Sequence, residues 1–324
     1  MKASVIIPLY NKQSLVRRAI VSVLAQTEPD FELIVVDDGS TDASAGVVRG
    51  IADPRLRLVS QSNQGPGAAR NRGAGEARAD YLAFLDADDE WLPEFLAQSL
   101  AALDRNPDCG FCMSAFFDGP ERRNSQAHLD KQGYRPGHYA VGPATRPDSF
   151  DWLLHAYLPS TSVFRRRPFQ ECGGFYAKDR CRLGEDMYLF VAASLRYPFW
   201  RLGEPLVWYH SEASELANQR HVLTPLLLDP QPVFELCPPP HLDILRGLLA
   251  DRAIQESLTM AYHGDFAWWR PLFERFQCER YAGHRGRNSR RQILALRALP
   301  AFARDHFPGA VRRILNRLFP LRTV

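Results

Sequence analysis

Short apolar runs alternate with amphipathic segments over the first 85 residues of this 324-residue chain. The apolar runs contain many β-branched residues, which predicts strands buried on both faces, at residues 4–9, 31–36, 56–59 and 81–85. Helices are predicted between these strands, at residues 15–24, 43–50 and 68–77. Strands that alternate with helices at this pitch indicate βαβ units. We therefore expect an α/β fold, Rossmann-like, with a mostly parallel central sheet and helices on both faces.

The pattern is weaker after residue 85. Further elements are predicted as strands at 110–117, 159–164 and 206–209 and as a helix at 185–195. The polar segment 118–149 is interpreted as a long surface loop, either part of a substrate site or flexible. The segment 224–241 contains six prolines and is interpreted as a linker or an irregular connection, and helices are expected from Leu242 onward. Gln26 and Glu32 are interpreted as surface residues.

The composition, 45% hydrophobic and 24% charged residues, is ordinary for a folded protein and excludes a disordered or collagen-like chain. No apolar run approaches the ~18 residues of a membrane span, and the N-terminal apolar run is too short for a signal peptide. The six cysteines are too few for a disulfide scaffold, so we expect reduced thiols in a cytoplasmic protein. Cys109 and Cys112 are interpreted as two buried thiols.

The net charge of +3 conceals a basic C-terminal tail. Residues 283–324 contain ten arginines and one acidic residue, Asp305. Five apolar residues of this tail recur at helical spacing, namely Val311, Ile314, Leu315, Leu318 and Phe319. A basic amphipathic helix is typical of segments that bind an anionic membrane surface, and the alternative is a helix packed against the rest of the protein. Nucleic acid is not expected as a partner, because no recognition module accompanies the charge.

Acidic residues follow two predicted strands and open one predicted helix. Asp37 and Asp38 follow the second strand, and Asp86 and Asp88 follow the fourth. In open α/β sheets, ligands bind outside the carboxyl ends of the strands. Asp86 and Asp88 can project to the same side, where two carboxylates suit Mg²⁺ or Mn²⁺. The alternative is that these residues are only solvated turn formers.

Five motifs occur in a fixed order along the chain: SVIIPLYN at 4–11, ELIVVDDGSTD at 32–42, NQGPGAARNRG at 63–73, YLAFLDADDEW at 81–91 and GGF…GEDMYL at 173–189. Together they resemble the family 2 glycosyltransferases, inverting enzymes with the GT-A nucleotide-sugar-binding fold. The resemblance covers about residues 3–215. It implies a GT-A catalytic domain over 1–215, followed by a mainly helical C-terminal region over 216–324 that ends in the basic amphipathic tail.

The resemblance also implies a nucleotide site at the ends of the first strands. Pro8 and Tyr10 would border the base. Asp38, with Asp37 behind it, matches the position that accepts the N–H of the base. The segment that closes over the nucleotide is matched by Asn63, Gly65 and Arg70, the last of these near the base or a phosphate.

The remaining matches concern the chemistry. Asp86 matches the position that binds the ribose hydroxyls, and Asp88 matches the metal ligand on the diphosphate. Asp186 matches the catalytic base, with Glu185 as its neighbour at the N-terminus of a helix, where the helix dipole favours ionised carboxylates. His210 falls near a histidine that lines the diphosphate or the metal.

The resemblance implies an enzyme that uses Mn²⁺ or Mg²⁺ and transfers a sugar from a nucleotide sugar, a UDP-sugar, to a hydroxyl of a glycan or lipid-linked acceptor in surface polysaccharide synthesis. Such an enzyme would be cytoplasmic or peripheral at the inner face of the cell membrane. Acceptor choice is expected to reside in residues 118–149 and after about residue 215. One alternative is a nucleotidyltransferase acting on a sugar phosphate, although the chain lacks the Gly/Arg/Lys-rich phosphate loop of that class. The other is a non-catalytic nucleotide-sugar-binding protein, against which the intact acidic residues argue.

Overall fold

The computed structural model describes residues 1–131, 133–154, 156–213, 223–262, 267–282 and 290–295. The chain divides into two compact units. The first unit contains Met1–Val141 and Leu153–Arg220, and the second contains Gly142–Trp152 and His221–Val324. The division into a catalytic domain and a C-terminal region at residue 215 stays a prediction, but the short segment Gly142–Trp152 belongs to the second unit.

The first unit begins with the predicted alternation of strands and helices. Its first seven elements are β1 (Ala3–Leu9), α1 (Val16–Leu24), β2 (Phe31–Asp37), α2 (Ser44–Arg49), β3 (Leu56–Ser60), α3 (Pro66–Glu76) and β4 (Tyr81–Phe84). The four strands lie in the order β3-β2-β1-β4 and all run parallel. Their carboxyl ends therefore meet at one edge of the sheet, as βαβ units require.

Side chains of β1 alternate between the two faces of the sheet. Val5 and Ile7 belong to one buried cluster with Ala19 and Ile20 of α1. On α3, a methyl group on Gly73 would overlap the side chain of Ile6, so α3 lies against this strand without room for a side chain at that position. Nearly every residue of β1 is consequently buried, which explains its uninterrupted apolar sequence.

The remaining elements of the first unit, with one helix that reaches into the second, are β5 (Glu90–Trp91), α4 (Phe95–Arg105), β6 (Phe111–Asp118), β7 (Arg123–Asn124), α5 (Ser125–Lys131), β8 (Gly137–Tyr139), α6 (Pro147–Leu154), β9 (Ser162–Arg165), α7 (Arg166–Glu171), α8 (Glu185–Arg196) and β10 (Phe199–Tyr209). The sheet continues from β4 as β9-β6-β10-β5. Strand β9 runs antiparallel to both neighbours, whereas β10 runs parallel to β6. The α/β class is confirmed, with parallel pairing concentrated in the first half of the sheet.

The expected surface loop over 118–149 was wrong. This segment contains α5 and two short strands, β7 and β8, which pair with β6 and β10. Strands of two and three residues are too short to show a periodic pattern, and pairing with the sheet is what stabilises them. The segment is therefore structured, although none of its described residues lines the cleft presented below.

The second unit is helical, which confirms the expectation for the chain after Leu242. Its described helices are α9 (Pro225–Leu228), α10 (Gln231–Leu236), α11 (Leu242–Tyr262), α12 (Trp269–Arg275) and α13 (Cys278–Tyr281). The irregular connection expected over 224–241 was wrong, because its prolines start short helices, where a missing N–H costs little. Arg252 of α11 contacts Asp151 at 2.8 Å. The basic tail helix predicted around Val311 lies outside the described residues.

Two residues expected at the surface are buried. Glu32 accepts hydrogen bonds from the Ser4 hydroxyl and the Arg78 N–H, both at 2.7 Å. The buried Gln26 side chain donates to the Leu92 carbonyl oxygen and accepts the Leu96 N–H. It therefore joins the segment before α4 to α4 itself. Hydrogen-bond partners distant in sequence thus compensate the burial of both groups.

Two further expectations concern the burial of Cys109 and Cys112 and the presence of membrane-spanning helices. Cys109 and Cys112 are free and fully buried, as predicted, and burial raises their pKa values to about 11 and about 12. No helix among the described residues has the length and apolar character needed to cross a membrane.

Candidate functional site

Residues that follow β1, β2 and β4 line one cleft of about 350 Å³ in the first unit. The start of α3 and the segment before α8 complete the walls. Ten predicted site residues lie together here: Pro8, Tyr10, Asp38, Asn63, Gly65, Arg70, Asp86, Asp88, Glu185 and Asp186. Asp37 and His210 are not among the lining residues. The lining residues that sequence reasoning missed include Lys12, Leu158, Pro159, Arg182 and Tyr209.

Asp38 fixes the loop that leads into α3. Its carboxylate accepts hydrogen bonds at 2.8 Å from the Gln61 side chain and from the backbone N–H groups of Gln64 and Gly65. Asp37 is also buried, and its Oδ1 accepts the Ser40 N–H at 3.1 Å, which closes the turn after β2. Both carboxylates therefore organise backbone, and contact of Asp38 with a base stays a prediction.

Two glycines bring the turn before α3 against the segment before α8. Gly65 has a φ of +91°, and a methyl group there would lie 2.7 Å from the Cys181 carbonyl oxygen. A methyl group on Gly67 would overlap the Tyr176 carbonyl oxygen. Only glycine permits such a close approach of two backbones. The turn predicted to cover a nucleotide and the segment that carries the acidic pair are thus in direct contact.

Arg70 joins the acidic clusters. Its Nη1 donates to Glu185 Oε1 at 2.8 Å, and its Nη2 donates to Asp86 Oδ1 at 2.6 Å. The guanidinium also lies over the Phe175 ring, 5.0 Å from the ring centroid. Arg70 is only 4% exposed, so these two carboxylates neutralise a buried charge. The predicted contact of Arg70 with base or phosphate stays a prediction, since its charge is already shared between two side chains.

The pKa of Asp186 is raised into the neutral range. Asp186 lies in the first turn of α8, where its Oδ1 accepts the Met187 N–H at 2.7 Å. Burial and the neighbouring Glu185 charge raise the pKa of Asp186 to about 7, against an opposing effect of Arg70. A carboxylate with a pKa near neutrality is suited to accept a proton from a hydroxyl.

A second acidic group follows β4. Asp88 Oδ2 lies 3.1 Å from the Lys12 ammonium, and burial and Asp86 raise its pKa. Asp89 points away from this contact: it accepts hydrogen bonds from the Ser160 hydroxyl at 2.5 Å and from the His210 N–H at 3.1 Å. Burial and the adjacent carboxylates raise the pKa of Asp89 well above its ordinary value. Asp89 therefore braces the strand end from which Asp86 and Asp88 project.

The residues predicted to hold a metal ion have suitable donor atoms. Asp88 offers carboxylate oxygen in the cleft, the ligand type that Mg²⁺ and Mn²⁺ prefer. His210 Nδ1 lies 3.0 Å from Glu212 Oε1, and its Nε2 lies 3.8 Å from Glu90 Oε2. Nε2 is buried and has no hydrogen-bond partner in the described part of the chain. Both groups fit a cation, although the structure does not bring His210 into the lining.

One other cluster has metal-ligand types. Asp108, Cys109 and His138 offer atoms within 4.8 Å of one another, outside the residues that line the cleft. His138 Nε2 already contacts Asp108 Oδ2 at 2.7 Å. Burial raises the pKa of Cys109 to about 11, which disfavours the thiolate that a metal requires. The arrangement agrees with the interpretation of Cys109 as a buried thiol.

Curated relatives match about a third of the chain. A Nostoc sp. protein described as an uncharacterized glycosyltransferase is 48% identical over 99 residues, which is 30% of this chain and 31% of that protein. The succinoglycan biosynthesis protein ExoW of Rhizobium meliloti is 41% identical over 115 residues, 33% of this chain and 36% of that protein. The chain thus matches about a third of the length of these curated relatives.

Solved structures match nearly the whole fold. The structure of S. aureus TarS residues 1–349 in complex with UDP-GlcNAc has a TM-score of 0.69 at 20% identity, covering 98% of this chain and 91% of that one. The mannosyltransferase PcManGT of Pyrobaculum calidifontis, in complex with GDP-Man and Mn²⁺, has a TM-score of 0.51 at 19% identity, covering 99% and 81%. The fold is therefore that of GT-A glycosyltransferases. A family model, described as glycosyl transferase family 2, matches residues 4–173, more than half of the sequence. This chain belongs to glycosyl transferase family 2.

Proposed function

We propose that this protein is a metal-dependent inverting glycosyltransferase that moves a sugar from a UDP-sugar to a hydroxyl of a glycan or lipid-linked acceptor in surface polysaccharide synthesis. One observation carries the proposal: a single cleft contains the Asp86–Asp88 group and the Glu185–Asp186 pair, joined by Arg70. The first group suits a metal-bound diphosphate and the second suits activation of a hydroxyl.

The choice of donor rests on the residues that line the cleft beside Asp38 and on the similarity in fold to TarS. Pro8, Tyr10 and Asn63 line the cleft beside Asp38, where the family resemblance places a base. TarS, similar in fold, has been solved with UDP-GlcNAc and with UDP. ExoW, similar in sequence, is named for succinoglycan biosynthesis, which supports a polysaccharide as the product.

In the proposed reaction, Asp186 accepts the proton of the acceptor hydroxyl. The acceptor oxygen then forms a bond to the anomeric carbon while the bond from that carbon to the diphosphate oxygen breaks, and the electron pair leaves with the nucleoside diphosphate. A single carboxylate base implies one displacement, hence inversion at the anomeric carbon. Asp86 would bind the ribose hydroxyls, and its ion pair with Arg70 holds it in place.

Asp88 and His210 are proposed to hold Mn²⁺ or Mg²⁺. When bound, such an ion supplies positive charge to the departing diphosphate without a proton transfer. Burial and the Asp86 charge raise the pKa of Asp88, against an opposing effect of Lys12. A divalent cation beside Asp88 would stabilise its ionised form.

The basic tail is proposed to bind the anionic inner face of the cell membrane, which would place the enzyme there as a peripheral protein. The ten arginines of residues 283–324 support this, at ~1 kcal/mol for each basic residue near the surface. Sedimentation with anionic liposomes tests it. Binding at low salt that disappears at high salt is expected, and no binding at low salt would contradict the proposal.

Donor turnover tests the central proposal. The full chain is incubated with UDP-GlcNAc, UDP-glucose, UDP-galactose or GDP-mannose, with and without Mn²⁺, and released nucleoside diphosphate is measured. We expect metal-stimulated release from at least one UDP-sugar, and proton NMR should show a β-configured product from the α-linked donor. Formation of pyrophosphate from UTP and a sugar phosphate would instead show a nucleotidyltransferase. Tight donor binding without turnover in the presence of candidate acceptors would show a binding protein.

A further inference from the structure

We infer that Arg182 forms part of an acceptor site and binds an anionic group, a phosphate or a carboxylate, on the sugar that receives the transferred residue. This inference rests on the proposed function and adds a substrate class to it. Arg182 lines the cleft and its side chain is exposed.

Arg182 differs in its contacts from Lys12 and Arg70, which also line the cleft. Lys12 contacts Asp88, and Arg70 is shared by Asp86 and Glu185. Both cations therefore have carboxylate partners within the protein. Arg182 has no hydrogen bond or ion pair with any residue that the structure describes. Its five N–H groups remain available to a ligand, and an arginine fork fits phosphate and carboxylate with two parallel hydrogen bonds.

The position of Arg182 assigns its ligand to the acceptor. Arg182 precedes Glu185 by three residues and belongs to the wall formed by the segment before α8. The acceptor hydroxyl has to reach Asp186 on this wall for its proton to be removed. The diphosphate, in contrast, is expected at the ends of β1 and β4, where Lys12 and Asp88 lie. The ligand of Arg182 is therefore assigned to the acceptor, and a loss of UDP affinity in the Arg182→Gln protein would assign it to the donor.

The backbone holds Arg182 in a defined place. The Tyr176 N–H donates to the Glu185 carbonyl oxygen at 3.1 Å, and the Cys181 N–H donates to the Lys178 carbonyl oxygen at 3.1 Å. Gly65 lies against the Cys181 carbonyl oxygen from the other side. A charged side chain on a fixed segment loses less entropy on binding than one on a free loop. These contacts favour recognition of a defined group over general attraction of anions.

The test uses the full chain saturated with UDP and Mg²⁺, titrated with glucuronate, glucose 6-phosphate or glucose and followed by NMR. We expect at least one anionic sugar to bind ~10-fold more tightly than glucose. Preference for glucose 6-phosphate alone identifies a phosphorylated acceptor, and preference for glucuronate identifies an acidic glycan.

Two matched variants locate the effect. Arg182→Gln should abolish the preference, whereas Arg180→Gln should keep it, because Arg180 is equally exposed on the same segment but does not line the cleft. Equal binding of all three sugars would overturn the inference, as would an Arg182→Gln protein that keeps the preference or loses affinity only for UDP. UDP binding without anion preference refutes the acceptor site alone, whereas failure of the wild type to bind UDP or any UDP-sugar refutes the proposed function as well.

Discussion

The cleft holds two of its positive charges in different ways. The Arg70 side chain is 5% exposed and makes charged hydrogen bonds of 2.6 and 2.8 Å to Asp86 and Glu185. The Lys12 side chain, in contrast, is 18% exposed and contacts the Asp88 carboxylate at 3.1 Å. A planar guanidinium between two carboxylates has a fixed geometry, while an ammonium on a long stem has several.

This difference indicates two kinds of electrostatic site. Arg70 links α3 to the segment after β4 and to the start of α8. Lys12 contacts Asp88 and also donates to the Ala213 carbonyl oxygen at 3.3 Å. We expect a divalent cation to be able to replace Lys12 beside Asp88, where the diphosphate is proposed to bind, whereas Arg70 keeps its two carboxylate partners.

The largest expected effect comes from removing the proposed base, Asp186, which lies beside the Arg70 bridge. Asp186→Asn keeps the shape of the side chain but cannot accept a proton, so sugar transfer should fall by ~10²–10⁴. Affinity for the donor, measured by calorimetry, should be nearly unchanged. Glu185→Gln should reduce transfer less, since Glu185 faces Arg70. Full activity of Asp186→Asn together with an inactive Glu185→Gln protein would give the base role to Glu185.

Arg70→Met should lower the free energy of unfolding by ~3–5 kcal/mol, because it leaves Glu185 buried without its counter-charge. Urea denaturation followed by circular dichroism measures this. The control is Arg72→Met, which removes an exposed contact with Glu76 in the same helix and should hardly change the curve. Similar curves for both variants would show that the Arg70 bridge does not stabilise the fold.

The pH profile should reveal Asp186 directly. Its pKa of about 7 means that the base is protonated, and inactive, at lower pH. We expect kcat/KM for the donor to fall ~10-fold per pH unit below about pH 6 and to level off above about pH 8. Glu185→Gln removes the neighbouring negative charge that raises this pKa, so the profile should move to lower pH. A shift to higher pH would contradict this arrangement.

The smallest expected effect concerns the contact between Lys12 and Asp88. Lys12→Met removes a positive charge beside Asp88, so the affinity for Mn²⁺ in the absence of nucleotide should rise up to ~10-fold. Electron paramagnetic resonance of unbound Mn²⁺ measures it without any turnover. Asp88→Asn should have the opposite effect. If Lys12→Met lowers Mn²⁺ affinity, Lys12 does not compete with the ion.

The sequence predicted the part of the site whose residues follow strands. Buried strands β1, β2 and β4 have continuous apolar sequences, so the positions of Asp38, Asp86 and Asp88 at their ends could be inferred. The sequence also predicted that α8 begins at Glu185, which the structure confirms. These predictions rest on local patterns, which the fold preserves.

Contacts between distant residues could not be predicted in the same way. Arg70 and Glu185 are 115 positions apart, and nothing in the motif containing Arg70 indicates that its partner is a carboxylate in the first turn of another helix. The burial of Glu32 depends on Ser4, 28 positions away, in the neighbouring strand. Lys12 directly follows the first motif, and Arg182 lies between the GGF and GEDMYL parts of the last one, so proximity to the motifs is the signal that could have found both.

The close approach at Gly65 and Gly67 has a consequence for how this protein can diversify. Tyr176 and Gly184 are tied at the two ends of the intervening segment, the first against α3 and the second at the start of α8. Substitutions between these ends change side chains without moving the acidic pair. Under the proposed function, new acceptor preferences can therefore arise within residues 177–183 while the acidic pair keeps its place, whereas a side chain at Gly67 would press on both Tyr176 and Glu185.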